Sequence, residues 1–365
     1  MPKPLRPPSL PSLPSRGLHY PWASLLAWAL SLAGCGGGGA TAPIDPGPAP
    51  TVQDQQCQAR GWAREVIRVQ GQTRLVLWKT AAGPWTRGAL VVLHGGGGSH
   101  TNYCVANVES IAAQVHFTDQ ALARGFAVFL LDSSDQITDP ENRLCGKVWD
   151  DEVRARANLD LPFVDELLAR VIPARRPTGS RAEVFVTGHS SGGYMTVRLA
   201  SHFADRISAF APVGSGDPYG WYRDCTRRAG DRANVSGAGF DAETRREITE
   251  PDACSASAYP NEKPWDGSGI AVRPPFKVFH HAQDGINDRS CVDKARFQLA
   301  ARGFPQEAAF TLDGGPRSAE AHAWQYAYNA PLLDFFESRT LQAASSSPRL
   351  RNNGVTVAAR PRKAW

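Results

Sequence analysis

The sequence predicts an α/β fold in which a mainly parallel central sheet carries helices on both faces. Three observations lead there. Several short runs, such as Ala89-Leu90-Val91-Val92-Leu93 and residues 126–131, are apolar throughout, and fully apolar strands belong to sheets buried on both sides. Stretches with helical spacing separate them, notably residues 161–171 and 191–204. Residues able to do chemistry follow directly after strands, where open α/β sheets gather their ligands.

Taken in order, 66–69 and 75–78 read as a first hairpin, and 89–93 as a strand ending at His94 and four glycines. A helical stretch closes at Gly125 before the strand 126–131. The helix 161–171 leads to the strand 184–186, and the helix 191–204 to the strand 207–212. A strand over 276–280, a helix over 292–302, a strand over 308–312 and a last helix over 324–338 complete the pattern. Residues 214–272, rich in Gly, Asp, Arg and Pro, break this rhythm and read as an insertion over the active-site edge.

The ends read differently. Residues 1–34 combine a basic, Pro-rich leader (Lys3, Arg6, Arg16) with an uncharged, mostly apolar run over 22–33. That run is too short to span a bilayer and fits a signal-peptide core. It closes on Leu32-Ala33-Gly34-Cys35, which resembles a bacterial lipobox and implies a lipid on Cys35. The alternative is an ordinary secretory cleavage near Ala33. The Gly- and Pro-rich stretch within 35–56 reads as a tether, 57–341 as the catalytic domain, and 342–365 as a disordered basic tail. Of the formal net charge of +5, three positive charges lie in the leader, so the remainder gives no argument for nucleic acid as a partner. Seven cysteines less Cys35 leave Cys57, Cys104, Cys145, Cys225, Cys254 and Cys291, an even set that predicts up to three disulfides in an exported chain. Cys225 with Cys254 is the pairing the insertion favours. No Cys or His spacing suits zinc, and no cofactor is expected.

Gly188-His189-Ser190-Ser191-Gly192 lies between the strand 184–186 and the helix 191–204. A turn that tight lifts the Ser190 hydroxyl into the open, needs glycines where a Cβ would clash, and aims the Ser191 N–H and the helix N-terminus at a developing oxyanion. Ser190 is therefore the candidate nucleophile, and it needs a base and an orienting acid. Of nine histidines, only His322 follows the last predicted strand. Asp284, after the strand 276–280, is the candidate acid; Asp288 is its rival and Asp132 the other position such folds use. The loop Gly95-Gly96-Gly97-Gly98 allows a backbone N–H to approach a substrate carbonyl. Gly96, with Gly95 and Gly97 close behind, is expected to share the oxyanion with Ser191. A phosphate-binding loop is the rival reading, but no Gly-Lys-Ser/Thr follows.

These motifs resemble the polyhydroxybutyrate depolymerase and feruloyl/acetyl-xylan esterase group of α/β-hydrolases. The resemblance covers about residues 62–338 and rests on Val91-Val92-Leu93-His94-Gly95, on Asp160-Leu161-Pro162-Phe163-Val164-Asp165, on residues 186–193, on His280 four residues before Asp284, and on His322-Ala323-Trp324. It implies an α/β-hydrolase fold and a secreted, metal-independent serine ester hydrolase with Ser190, Asp284 and His322 in the catalytic roles. Hydroxyalkanoate esters are the leading substrates and feruloyl or acetyl-xylan esters the alternative. A serine peptidase of the same fold and a catalytically dead lipid-anchored binding protein are the other readings. Trp221, Tyr222 and Trp265 in the insertion are candidates to line an acyl or sugar pocket; packing of the insertion on the core explains them equally well.

Overall fold

The computed structural model describes residues 47–137, 147–151, 157–219, 239–241, 246–248 and 267–345. The elements in chain order are α1 (Val52–Ala59), β1 (Ala63–Val69), β2 (Gln72–Lys79), β3 (Ala89–Leu93), α2 (Ala112–Ala123) and β4 (Ala127–Leu131). Helix α3 (Leu161–Glu166) continues through a π-helical turn (Leu167–Val171) into α4 (Ile172–Arg175). Then follow β5 (Val184–His189), α5 (Ser191–His202), β6 (Ala209–Val213), the small hairpin β7 (Gly239–Asp241) and β8 (Arg246–Ile248), β9 (Phe279–His281), α6 (Arg289–Ala301), β10 (Phe310–Leu312) and α7 (Tyr326–Ser345).

Eight strands form one sheet in the order β1-β2-β4-β3-β5-β6-β9-β10. The β1–β2 hairpin and the β2–β4 pair are antiparallel, and every pair from β4 to β10 is parallel. The hairpin turns on Gln70 and Gly71, both at positive φ (50° and 74°), as a two-residue turn matched to strand twist requires. Side chains alternate across the sheet. Val91, Leu93, Phe129, Leu131 and Val186 share one buried cluster with Phe163, Val197, Leu199 and Val292 of the helices. Leu90, Val92, Val128, Leu130 and Phe185 share the other with Phe117 of α2 and Leu332 and Phe336 of α7. A period of two on strands buried on both faces produces this two-layer core.

Four expectations shift. Residues 52–56, read as tether, belong to α1, whose first turn is held by a capping box between Thr51 and Asp54. The helix expected to end at 171 runs on to Arg175, although Pro173 cannot donate a backbone hydrogen bond. The last helix runs to Ser345, into the segment read as tail. The first residues of the segment read as insertion are packed rather than looped out: Ser215, Asp217 and Tyr219 are buried. The signal and lipobox with Cys35, the aromatics Trp221, Tyr222 and Trp265, the cysteines Cys145, Cys225 and Cys254, the side chain of Cys291 and the tail beyond 345 lie outside the described residues. One disulfide is described: Cys57 of α1 joins Cys104 with a Cα–Cα distance of 5.5 Å.

Candidate active site

Strand β5 ends on a sharp turn. Ser190 sits at φ 52° and ψ −118°, one of two non-glycine residues at positive φ among those described, and it starts α5. Such strain persists only where the surroundings enforce it. Here the Ser190 N–H is tied to the Val213 carbonyl (2.9 Å), and its own carbonyl accepts from the N–H groups of Gly193 (2.8 Å) and Tyr194 (3.0 Å). The flanking glycines are steric necessities. A Cβ on Gly188 would lie 2.4 Å from the Gly192 carbonyl oxygen, and one on Gly192 would lie 2.5 Å from those of Leu93 and His94. The N-terminus of α5 is thereby pressed against the end of β3.

Asp284 is buried after β9, and His322 is carried on the far side of β10. The two loops are zipped together: Gly285 N–H donates to Ser318 O (2.9 Å) and Ser318 N–H to Gln283 O (3.0 Å). This brings His322 Nδ1 to 2.7 Å from Asp284 Oδ2. The other carboxylate oxygen, Oδ1, accepts the backbone N–H groups of Ile286 (2.8 Å) and Asn287 (2.9 Å). A carboxylate so held accepts the His322 Nδ1–H and leaves Nε2 with its lone pair. Asn287 also donates to Gly214 O (2.6 Å), and Gly214, at φ 57°, lies against the imidazole: a Cβ there would sit in ordinary contact, 3.5 Å from His322 Nδ1.

The base-bearing loop also meets the residue before Ser190. The His189 and His322 rings lie 4.8 Å apart, and His189 Nε2 donates to the His322 carbonyl (2.6 Å). Burial, aided by the field of His322, pushes the His189 pKa down to about 4, so the ring stays neutral at ordinary pH. Among the described residues no hydrogen bond joins Ser190 to His322; unliganded catalytic contacts of this kind commonly tighten only with substrate bound.

The glycine loop is partly committed. Gly97 N–H donates to Lys147 O (2.7 Å) and Gly98 N–H to Gly95 O (3.0 Å), which removes Gly97 from the candidate donors. Gly96 N–H makes no bond among the described residues, and a Cβ on Gly96 would lie 3.8 Å from Ser191 Cβ, so the two candidate oxyanion donors sit side by side. His94 braces the loop from behind: Ser133 N–H donates to its Nε2 (3.1 Å), leaving the ring proton on Nδ1 for Gly95 O (2.7 Å).

The rival acids are employed elsewhere. Asp288 pairs with Arg317 (3.4 Å). Asp132 lies 3.2 Å from His100 Nδ1 and accepts from Lys147 Nζ (2.5 Å). Burial works against ionising Asp132, but the imidazoles of His100 and His94 beside it outweigh that and hold the carboxyl far below its ordinary range. Sequence reasoning missed Asn287, Gly214, Ser318 and Trp149. Each acts through backbone groups or a few polar contacts, so none leaves a periodic signal.

A parallel sheet in this strand order, with an antiparallel hairpin at its edge and a strained serine between the central strand β5 and its helix, is the α/β-hydrolase fold. Among solved structures the chain is similar to a thermostable esterase (12% identity, TM-score 0.46, covering 76% of this chain and 62% of that one). It is similar also to Est1E from Butyrivibrio proteoclasticus (14%, 0.44, 77% and 99%) and to FphF, a fluorophosphonate-binding serine hydrolase of Staphylococcus aureus (14%, 0.46, 76% and 98%). The chain thus spans less than two thirds of the thermostable esterase. No protein-family model matches the sequence, and comparison with curated proteins finds no match.

Proposed function

We propose that the protein is a secreted serine hydrolase of carboxylic esters, acting on hydroxyalkanoate esters of the polyhydroxybutyrate type through an acyl-enzyme. The observation that carries this reading is Ser190, held at φ 52° on the strand-to-helix turn, on the same sheet edge as a buried Asp284 bonded at 2.7 Å to His322. In this mechanism His322 Nε2 takes the Ser190 proton as Oγ attacks the ester carbonyl. Asp284 fixes the tautomer and stabilises the imidazolium. The N–H groups of Gly96 and Ser191 receive the oxyanion. His322 then returns the proton to the departing alcohol. Water, deprotonated by His322, hydrolyses the acyl-Ser190 ester and restores the hydroxyl.

The acyl preference comes from the motif resemblance, which extends equally to feruloyl and acetyl-xylan esters. A panel of p-nitrophenyl esters, methyl ferulate and a hydroxybutyrate oligomer separates these substrates. Export and a lipid on Cys35 belong to the same proposal and are supported by the apolar run before Leu32-Ala33-Gly34-Cys35. Expression in a bacterial host with labelled palmitate tests the anchor: label that disappears in Cys35→Ala supports it, and an unlabelled, exported chain overturns it.

A further inference from the structure

The segment 147–149 crosses the mouth of the glycine loop and touches both halves of the candidate oxyanion hole. Lys147 O accepts the Gly97 N–H (2.7 Å). Val148 Cγ1 would lie 3.6 Å from a Cβ on Gly96. Trp149 then makes two bonds in opposite directions. Its backbone N–H donates to Ser191 Oγ (3.0 Å), and its indole N–H donates to the carbonyl of His94 (2.8 Å). Its ring packs against that of His94 at 5.1 Å, and the residue is only 3% exposed. His94 directly precedes the glycine run and Ser191 directly follows Ser190, so one side chain and its own amide join the two loops whose N–H groups face the oxyanion. The segment is anchored in turn, because Lys147 Nζ lies 2.5 Å from the buried Asp132.

We infer that Trp149 is a positioning residue of the oxyanion hole: its two donated hydrogen bonds, to Ser191 Oγ and to the His94 carbonyl, set the separation of the Gly96 and Ser191 N–H groups. The inference rests on the reading of Ser190 as nucleophile. It also assigns a role to the Ser191 hydroxyl, which accepts the Trp149 N–H while the Ser191 backbone N–H remains for the oxyanion. An oxyanion is stabilised only by donors in place before charge develops, and a displacement of about 1 Å can cost about a hundredfold in rate.

The test uses the full chain with p-nitrophenyl acetate. Trp149→Phe keeps the ring and loses the indole donor. Ser191→Ala loses the acceptor for the Trp149 N–H and keeps its own backbone N–H. Each is expected to lower kcat by about tenfold to a hundredfold with KM within about twofold. Inhibition by phenylboronic acid, which forms an anionic tetrahedral adduct on the serine, should weaken by a similar factor, while the shape of the pH profile stays put because the Asp284–His322 contact is untouched. Wild-type kcat in Ser191→Ala, or a rise confined to KM, overturns the inference, and Ser191→Ala decides the matter if Trp149→Phe does not fold. A wild-type chain that neither turns over an ester nor binds the boronic acid brings down the hydrolase reading itself, a result distinct from active wild type with unaffected variants.

Discussion

The carboxylate of Asp54, in the first turn of α1, meets the Nε2 of His100 at 2.7 Å across 46 positions of sequence. On the other side of the ring Asp132 lies 3.2 Å from Nδ1. All three residues are buried. Burial opposes charge on His100, but the carboxylates of Asp132 and Asp54 on either side prevail and raise its pKa; burial likewise opposes ionisation of Asp54, and its bond to His100 prevails and brings it down to about 2. An imidazole held between two carboxylates thus bolts the N-terminal helix to the segment that follows the glycine loop.

This arrangement predicts how stability depends on pH. A raised His100 contributes fully below its unfolded value of about 6.5 and loses that contribution as pH rises through the folded value. His189 and His280, pushed down by burial to about 4, act in the opposite sense: their contribution is present above about 6.5 and is lost as pH falls toward 4, on the order of 3 kcal/mol each. Asp54 adds a further loss as pH falls from about 3.8 through 2. The thermal midpoint should therefore peak near pH 6.5. Midpoints measured from pH 4 to 9 check this, and His100→Asn should flatten the alkaline side while leaving the acid side.

The Cys57–Cys104 bond closes a loop of 47 residues that runs from the last turn of α1 through β1, β2 and β3. Loop-closure entropy assigns such a crosslink about 4 kcal/mol. Cys57→Ser with Cys104→Ser is expected to lower denaturant stability by about that amount and to release α1, read as faster hydrogen exchange over 52–59.

Asp284→Asn should fold, since the backbone N–H groups of Ile286 and Asn287 still find an oxygen, but it no longer fixes the His322 tautomer. A loss of kcat of about ten-thousandfold is expected. Asp288→Asn, which removes the charge that pairs with Arg317, should retain most of the wild-type rate. Rates of the two variants on one activated ester are enough to tell them apart.

Gly192→Ala places a methyl 2.5 Å from two backbone carbonyl oxygens. Neither is free to move, because Leu93 ends a central strand and the His94 carbonyl holds the Trp149 indole. A destabilisation of about 3 kcal/mol or failure to accumulate as folded protein is expected, measurable by chemical denaturation.

Much of this was legible in the sequence, and for physical reasons. Runs such as 89–93 and 126–131 read as buried strands because nothing polar interrupts them, and Gly188-His189-Ser190-Ser191-Gly192 read as a sharp turn because its glycines stand where a Cβ meets backbone. The chain order of strands directed attention to Asp284 and His322, which the structure places in contact. Helix α1 was missed because it is short and polar, and its place in the domain depends on one disulfide and one buried aspartate. Asp54, His100 and Asp132 are single polar residues in unremarkable settings, so only their convergence shows that they are core. Trp149 stands in the charged run Trp149-Asp150-Asp151-Glu152, where no periodicity marks it as an interior residue.

The central claim is that Ser190 attacks an ester carbonyl. The most direct test is hydrolysis of p-nitrophenyl acetate by the full chain and by Ser190→Ala, with mass spectrometry of the quenched wild-type reaction. The account predicts turnover by the wild type, an acetyl group trapped on Ser190, and no enzymatic turnover by the folded variant. Equal rates in the two proteins, or acetyl trapped on another residue, would contradict it.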